Sequence, residues 1–173
     1  MITESPRIRP AAPGDAPALA RALMRNRTHM KPWEPHRPER YYTAEAQVER
    51  LTDGAAQWIA VDGDEVVGAA TLSGIVLGAF RSASLGYWVD RDHTGRGLAT
   101  ALVGTVCRGA REGLGLHRIQ AGTLLHNHAS QRVLVKSGFT RIGTAPRYLH
   151  IDGDWRDHHL FQRILHDDPP PHG

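Results

Sequence analysis

The middle of the chain constrains it most. The apolar run Leu85-Gly86-Tyr87-Trp88-Val89 leads into Thr94-Gly95-Arg96-Gly97-Leu98-Ala99. Helical spacing follows, with Leu98, Leu102, Val106 and Ala110 on one stripe. A strand that enters a glycine turn and then a helix leaves several backbone N–H groups aimed at one spot. They lack partners within the helix and lie at its positive end, where a phosphate is favoured. Two familiar phosphate loops do not fit. A nucleoside-triphosphate loop needs Gly-Lys-Ser/Thr, and here Gly97 is followed by Leu98-Ala99. A dinucleotide fingerprint needs a third glycine, and Thr100 stands in its place.

The flanking segments read as a mixed order of elements. Arg7–Pro10 is a short strand, and Asp15 is placed to cap a helix whose apolar face is Leu19, Leu23 and Met24. Residues 26–42, with Pro32, Pro35 and Pro38, read as irregular. Thr43 caps a second helix carrying Val48 and Leu51. Gln57–Val61 and Glu65–Leu72 form a hairpin about Asp62-Gly63-Asp64, a turn or bulge spans Gly78–Ser82, and Ala83–Val89 is the next strand. Beyond the central helix, which Gly113 and Gly115 end, His117–Leu124 is a strand and Ala129–Ser137 a helix. Phe139–Thr144 is a strand, and Tyr148–Ile151 with His158–Ile164 reads as a last hairpin. An antiparallel meander followed by a β-α-β-α-β half predicts a mixed sheet with helices packed on it, not a doubly wound one.

Composition excludes several classes. With 173 residues the chain suits one domain, expected over residues 1–166. The polar, proline-rich tail 167–173 is expected to be disordered. A net charge of +3, from 21 basic and 18 acidic residues, is too balanced to argue for a nucleic-acid partner. The eleven histidines are scattered, so no metal site is expected. The lone cysteine, Cys107, has no disulfide partner and falls in the central helix as a small hydrophobe. No leader-like or membrane-length apolar run is present, so a cytoplasmic protein with no membrane partner is expected.

The glycine turn resembles the pyrophosphate loop of the GNAT superfamily of N-acetyltransferases, Gln/Arg-x-x-Gly-x-Gly/Ala. Gly97 and Ala99 take the small positions, and Thr94 departs from the usual Gln or Arg. The resemblance runs from Ile8-Arg9-Pro10 to Arg163. It is closer still to the branch of ribosomal-protein alanine N-acetyltransferases of the Rim type. That branch is matched by Met30–Pro35, Gly78-Ala79-Phe80, Leu85–Val89, Asn127-His128-Ala129-Ser130, Ser137-Gly138-Phe139 and Ile151–His158.

What the resemblance implies is an α/β (α+β) GNAT fold, with a central mixed, mostly antiparallel, splayed sheet flanked by helices. Acetyl-CoA is the implied cosubstrate, and no metal is called for. The implied cofactor-binding residues are Trp88, Val89, Thr94, Gly95, Arg96, Gly97, Leu98, Ala99, Asn127 and Ser130, with the Val89 amide facing the thioester carbonyl. Ser130 is the implied catalytic acid, since Leu134 occupies the position where many relatives carry a tyrosine acid. The base stays open among Asp90, His126, His128, Tyr148 and a water chain. An α-amine (pKa about 7.7–8.0) is easier to deprotonate than a lysine (about 10.4), by roughly 3.4 kcal/mol. Without an obvious base, the expected acceptor is therefore the N-terminal α-amine of a protein, such as a ribosomal protein. A small amine (antibiotic or polyamine) is the alternative, and a non-catalytic acyl-CoA-binding module is the reading from another class. Trp33 and Tyr41, with the hairpin near Trp155, are expected on the acceptor side. A homodimer rests on the resemblance alone.

Overall fold

A computed structural model describes residues 5–54 and 56–171. Among these described residues seven strands form one sheet: β1 (Arg7–Pro10), β2 (Ala56–Asp62), β3 (Glu65–Val76), β4 (Ser82–Val89), β5 (Arg118–Leu124), β6 (Thr140–Ile151) and β7 (Asp154–Ile164). Their order across the sheet is β1-β2-β3-β4-β5-β7-β6. Every neighbouring pair is antiparallel except β4 with β5. The parallel pair holds only from Ser82–Ser84 against Arg118–Gln120. Beyond that point β4 stays bonded to β3 and β5 stays bonded to β7, so their facing edges part. This is the mixed, mostly antiparallel, splayed sheet that the resemblance implies.

Among the described residues four α-helices cover the sheet: α1 (Ala16–Met30), α2 (Ala44–Thr52), α3 (Leu98–Glu112) and α4 (His128–Lys136). Alternation along the strands sorts the apolar side chains into two cores. Val67, Ala70, Leu72, Leu85, Val89, Ile119 and Ala121 meet Leu102, Val103 and Val106 of α3 and Leu134 of α4. Ile59, Val66 and Ala69 meet Leu19, Ala22 and Leu23 of α1, with Tyr42. The predicted α3 stripe is fully buried, and Cys107 lies within it, 2 % exposed, where burial pushes its thiol pKa up.

Several boundaries differ from the sequence reading. The α1 helix continues through Asn26 to Met30 instead of giving way at Asn26, because no proline intervenes before Pro32 and Asn26 is anchored in the interior. Asp15 precedes α1 but bonds no helix amide. Its carboxylate takes Arg9 at 2.7 and 2.8 Å and the Ala12 N–H at 2.8 Å instead. Strand β3 runs four residues further than expected, with a register shift between Ser73 and Val76. The two strands expected at 139–144 and 148–151 are one strand, β6, broken in register between Ala145 and Leu149 around Arg147. Thr43 caps α2 as expected, accepting from the Ala46 N–H. Residues 167–171 form no helix or strand, and His172 and Gly173 of the predicted tail lie outside the described residues.

Candidate active site

The opening between β4 and β5 follows from hydrogen-bond alternation. The Asp90 N–H donates to the Val67 carbonyl on β3 at 2.9 Å. Alternation then turns the N–H groups of Val89, Tyr87 and Leu85 the other way, toward the edge that β5 has left. The Val89 amide thus faces the gap. Trp88 sends its side chain into the α1-side core, so what it offers the gap is main chain.

At one rim lies the glycine turn. Thr94 closes the preceding 3-10 turn (Arg91–His93) with its hydroxyl on the Arg91 carbonyl at 3.0 Å. Gly95 (φ 73°) and Gly97 (φ 78°) are left-handed, a conformation costly for residues with a Cβ, and a Cβ built on either meets nothing within 4 Å. The first bond of α3 runs from the Ala101 N–H to the Gly97 carbonyl. The N–H groups just before it, those of Leu98, Ala99 and Thr100, have no partner of that kind. The Leu98 side chain is buried and fixes this backbone, while Thr94, Arg96 and Gly97 are exposed. Open space lined by uncommitted amides at a helix N-terminus suits a diphosphate.

At the other rim stands the first turn of α4. Asn127 is its cap, with the side-chain oxygen accepting from the Ser130 N–H at 3.2 Å. Ser130 is therefore not the cap, and its hydroxyl is free for other work. It lies 2.6 Å from the Tyr87 hydroxyl across the gap. Burial pushes the Tyr87 phenol up to about 12, against a smaller opposite effect from Ser130, so the pair stays protonated at neutral pH. Tyr87 stands in the sequence as one residue of the apolar run Leu85–Val89 and is not among the site residues the resemblance implies. The signal was its place on the α3-facing side of β4, two residues before Val89, but only the tertiary contact brings it to Ser130.

The base candidates separate. Asp90 is 2 % exposed. It accepts from Arg25 Nε (2.9 Å), Asn26 Nδ2 (2.8 Å) and the Asp92 N–H (2.9 Å). Burial alone would raise its carboxyl, but these donors outweigh it and lower the group to about 2. So weak a base with its lone pairs engaged does not take a proton from an amine. Asp90 is the tie between α1 and the loop that precedes the glycine turn, a role Asn26 shares by accepting from the Arg91 N–H at 3.0 Å. His126 stacks against Trp33 at 5.4 Å, joining the segment after α1 to the β5–α4 turn. Tyr148 covers Gly122, with a ring carbon 3.6 Å from where a Cβ would stand there. His128 is exposed at the start of α4. Tyr41 lies between the Arg37 and Arg50 guanidinium groups, 4.8 and 4.9 Å from its ring, and so packs the loop onto α2. Trp155 is exposed at the β6–β7 tip, edge-on to His150. Among the described residues no three His, Cys, Asp or Glu side chains gather as a metal site, and no helix is long and apolar enough to cross a membrane.

Comparison with known proteins agrees with this geometry. Residues 7–140 match the family model of the acetyltransferase (GNAT) domain. The [Ribosomal protein uS5]-alanine N-acetyltransferase of Escherichia coli (strain K12) is 35% identical over 156 residues, covering 84% of this chain and 80% of that protein. The ribosomal-protein-S5-alanine acetyltransferase from Vibrio fischeri superposes with a TM-score of 0.90 at 31% identity, covering 99% of this chain and 98% of that one. RimJ of Mycobacterium smegmatis, solved in complex with CoA-disulfide, gives a TM-score of 0.81 at 32% identity, covering 91% of this chain and 80% of that one.

Proposed function

Because this chain belongs to the acetyltransferase (GNAT) domain family and is an acetyltransferase, we propose that it acetylates the N-terminal α-amine of a protein, a ribosomal protein being the first candidate. The observation that carries the transfer chemistry is the Tyr87–Ser130 hydroxyl pair, 2.6 Å apart at the open edge of β4, while the acceptor class is supported by the relatives. Acetyl-CoA, the cosubstrate, supplies a thioester that an amine can attack.

The residues divide the work by their chemistry. The amides between Gly95 and Ala99 hold the diphosphate, and the Arg96 side chain is free to approach it. The Val89 N–H points at the position where negative charge grows on the carbonyl oxygen, a role worth about 3–4 kcal/mol in other acyl transfers. Ser130 holds a proton at Oγ for the departing sulfur, and Tyr87 behind it orients that hydroxyl. Asn127 spends its oxygen on the helix cap, so its Nδ2 is the donor left for a pantetheine carbonyl. With Asp90 held at about 2, a water chain is the route by which the ammonium loses its proton. That route suits an α-amine better than a lysine.

Two relatives support the acceptor class, since those of Escherichia coli and Vibrio fischeri are named for alanine acetylation of a ribosomal protein. The test is mass spectrometry after incubation with isotope-labelled acetyl-CoA and three acceptors: peptides beginning with alanine, N-terminally blocked lysine peptides, and spermidine. Label on the α-amine is expected. Label on spermidine with none on any peptide would transfer the assignment to the small-amine alternative.

A further inference from the structure

His158, in the first half of β7, is 3 % exposed and is a titratable group that the chemistry above does not use. Its Nδ1 donates to the Arg156 carbonyl at 3.0 Å. A carbonyl only accepts, so Nδ1 carries the proton and the neutral ring keeps its lone pair at Nε2. That nitrogen has no hydrogen-bond partner among the described residues and is not sealed from solvent. The ring is held from two sides. Tyr148 stacks on it at 5.4 Å, and Cδ2, bonded to Nε2, is 3.6 Å from where a Cβ would stand on Gly122. Beside it β5 presents Gln120, Gly122 and Leu124, and β6 presents Tyr148, none of them a carboxylate or a cation. Arg156, on the same face of β7, turns its guanidinium to the carbonyls of Ile151 and Asp152 at 3.2 and 3.3 Å.

Register sets His158 at the height of the Val89 amide. Ser84 pairs with Gln120, and four residues further along both strands Trp88 is level with Leu124, which pairs with His158. Ile119 and Ala121 face the α3 core, so Gly122, Leu124 and, across the ladder, His158 face the other side of the sheet. The glycine turn opens α3, and Ser130 meets Tyr87 on the α3 side. A cosubstrate held by that turn and by Ser130 enters the gap from the α3 side, which leaves the opposite face to the acceptor. On that face the parted strands are bare. Gly86 and Gly122 are both exposed, and a Cβ built on Gly86 meets nothing within 4 Å. Ser130 and His158 thus stand on opposite faces of one opening, the first toward the leaving sulfur and the second toward the incoming amine.

We infer that His158 is the proton acceptor at the end of the water chain. The inference rests on the α-amine reading above. The α-ammonium gives one proton, through water, to His158 Nε2. Its nitrogen keeps the N–H electron pair as the lone pair that attacks. The imidazolium so formed returns its proton to solvent before the next turnover. Strand β7 lies one strand spacing, about 4.8 Å, beyond β5, so water and not direct contact joins the ring to the gap.

The test is steady-state thiol release from saturating acetyl-CoA with a hexapeptide that begins with alanine, followed from about pH 7 to pH 9. His158→Asn keeps a donor where Nδ1 stands and removes Nε2. Its kcat/KM should lie about a hundredfold below that of the unmodified protein at pH 7. An α-amine of pKa about 7.8 goes from roughly 14 % to roughly 94 % free over that range, so the deficit should shrink about sevenfold by pH 9. Thermal melts and calorimetric titration with CoA check the fold, and His158→Gln replaces the Asn variant if the latter does not fold. In the folded variant, a deficit under about threefold at pH 7 overturns the assignment and leaves the α-amine reading standing. So does a deficit that is the same at both ends of the range, which is what a purely structural role would give. Acetylation of spermidine with no turnover of the peptide overturns both.

Discussion

Replacing Asp90 by Asn tests the tie between α1 and the loop that leads to the glycine turn. The carboxylate accepts from Arg25, Asn26 and the Asp92 amide, and its pKa falls from an ordinary 3.8 to about 2. A native value below the unfolded one means stability that is present above pH ~4 and is lost as pH falls toward 2. The shift of nearly two units corresponds to about 2 kcal/mol at pH 7. Arg25 is 32 % exposed, and solvent screening on its side brings the expected figure to about 1–2 kcal/mol. Asn keeps the shape but turns an N–H₂ toward donors, so the variant should lose at least that much. Urea unfolding of both proteins from pH 7 to pH 3 measures it. The difference between them should shrink to about half by pH 3, because the unfolded carboxyl is by then mostly protonated while the native one is still ionised. Calorimetric titration with CoA supplies the second reading: the tie from α1 to the loop before the glycine turn is lost, so affinity should fall by about three- to tenfold. A difference in unfolding below about 0.5 kcal/mol at pH 7, or one that does not change with pH, would refute the reasoning.

Three further outcomes follow from the site and its scaffold. Ser130→Ala should lower kcat about a hundredfold with little change in KM, whereas Tyr87→Phe should cost about tenfold; an unchanged kcat in stopped-time thiol assays removes either residue from the proposed chemistry. Gly97→Glu puts a carboxylate where the diphosphate is proposed to lie and strains a left-handed position, so calorimetry should detect no CoA binding, and wild-type affinity would contradict that location for the phosphates. Gly109→Ala sets a Cβ 2.5 Å from Trp58 Cζ2, so α3 or the indole must move; a loss of about 1–3 kcal/mol is expected in urea unfolding, and a neutral result would mean that Trp58 swings away freely.

Much of the fold was legible because local physics and the tertiary result agree there. The α3 stripe of Leu98, Leu102, Val106 and Ala110 follows helical spacing, and the core needs that same face. Thr43 stands where cap chemistry expects it. The failures share one cause, which is that distant partners outbid local propensity. Asn26 looked like the start of a loop, but its side chain is satisfied by Asp90, 64 residues away, and the helix continues through it. Asp15 looked like a cap, but Arg9 of β1 and the Ala12 amide hold its carboxylate. In β6 the break at Arg147 read as the end of one strand and the start of another, while pairing to β7 keeps both halves in a single strand.

By itself the sequence determined the alternation of elements, the glycine turn with its uncommitted amides, and the absence of any partner that would make Cys107 part of a disulfide. Each of these depends on residues within a few positions of one another. Only the tertiary structure decided that β4 and β5 part after Ser84, that Tyr87 meets Ser130, and that Asp90 is a buried strut and no base. Those facts join residues tens of positions apart, and their energies come from burial and hydrogen-bond geometry that exist only once the sheet has formed.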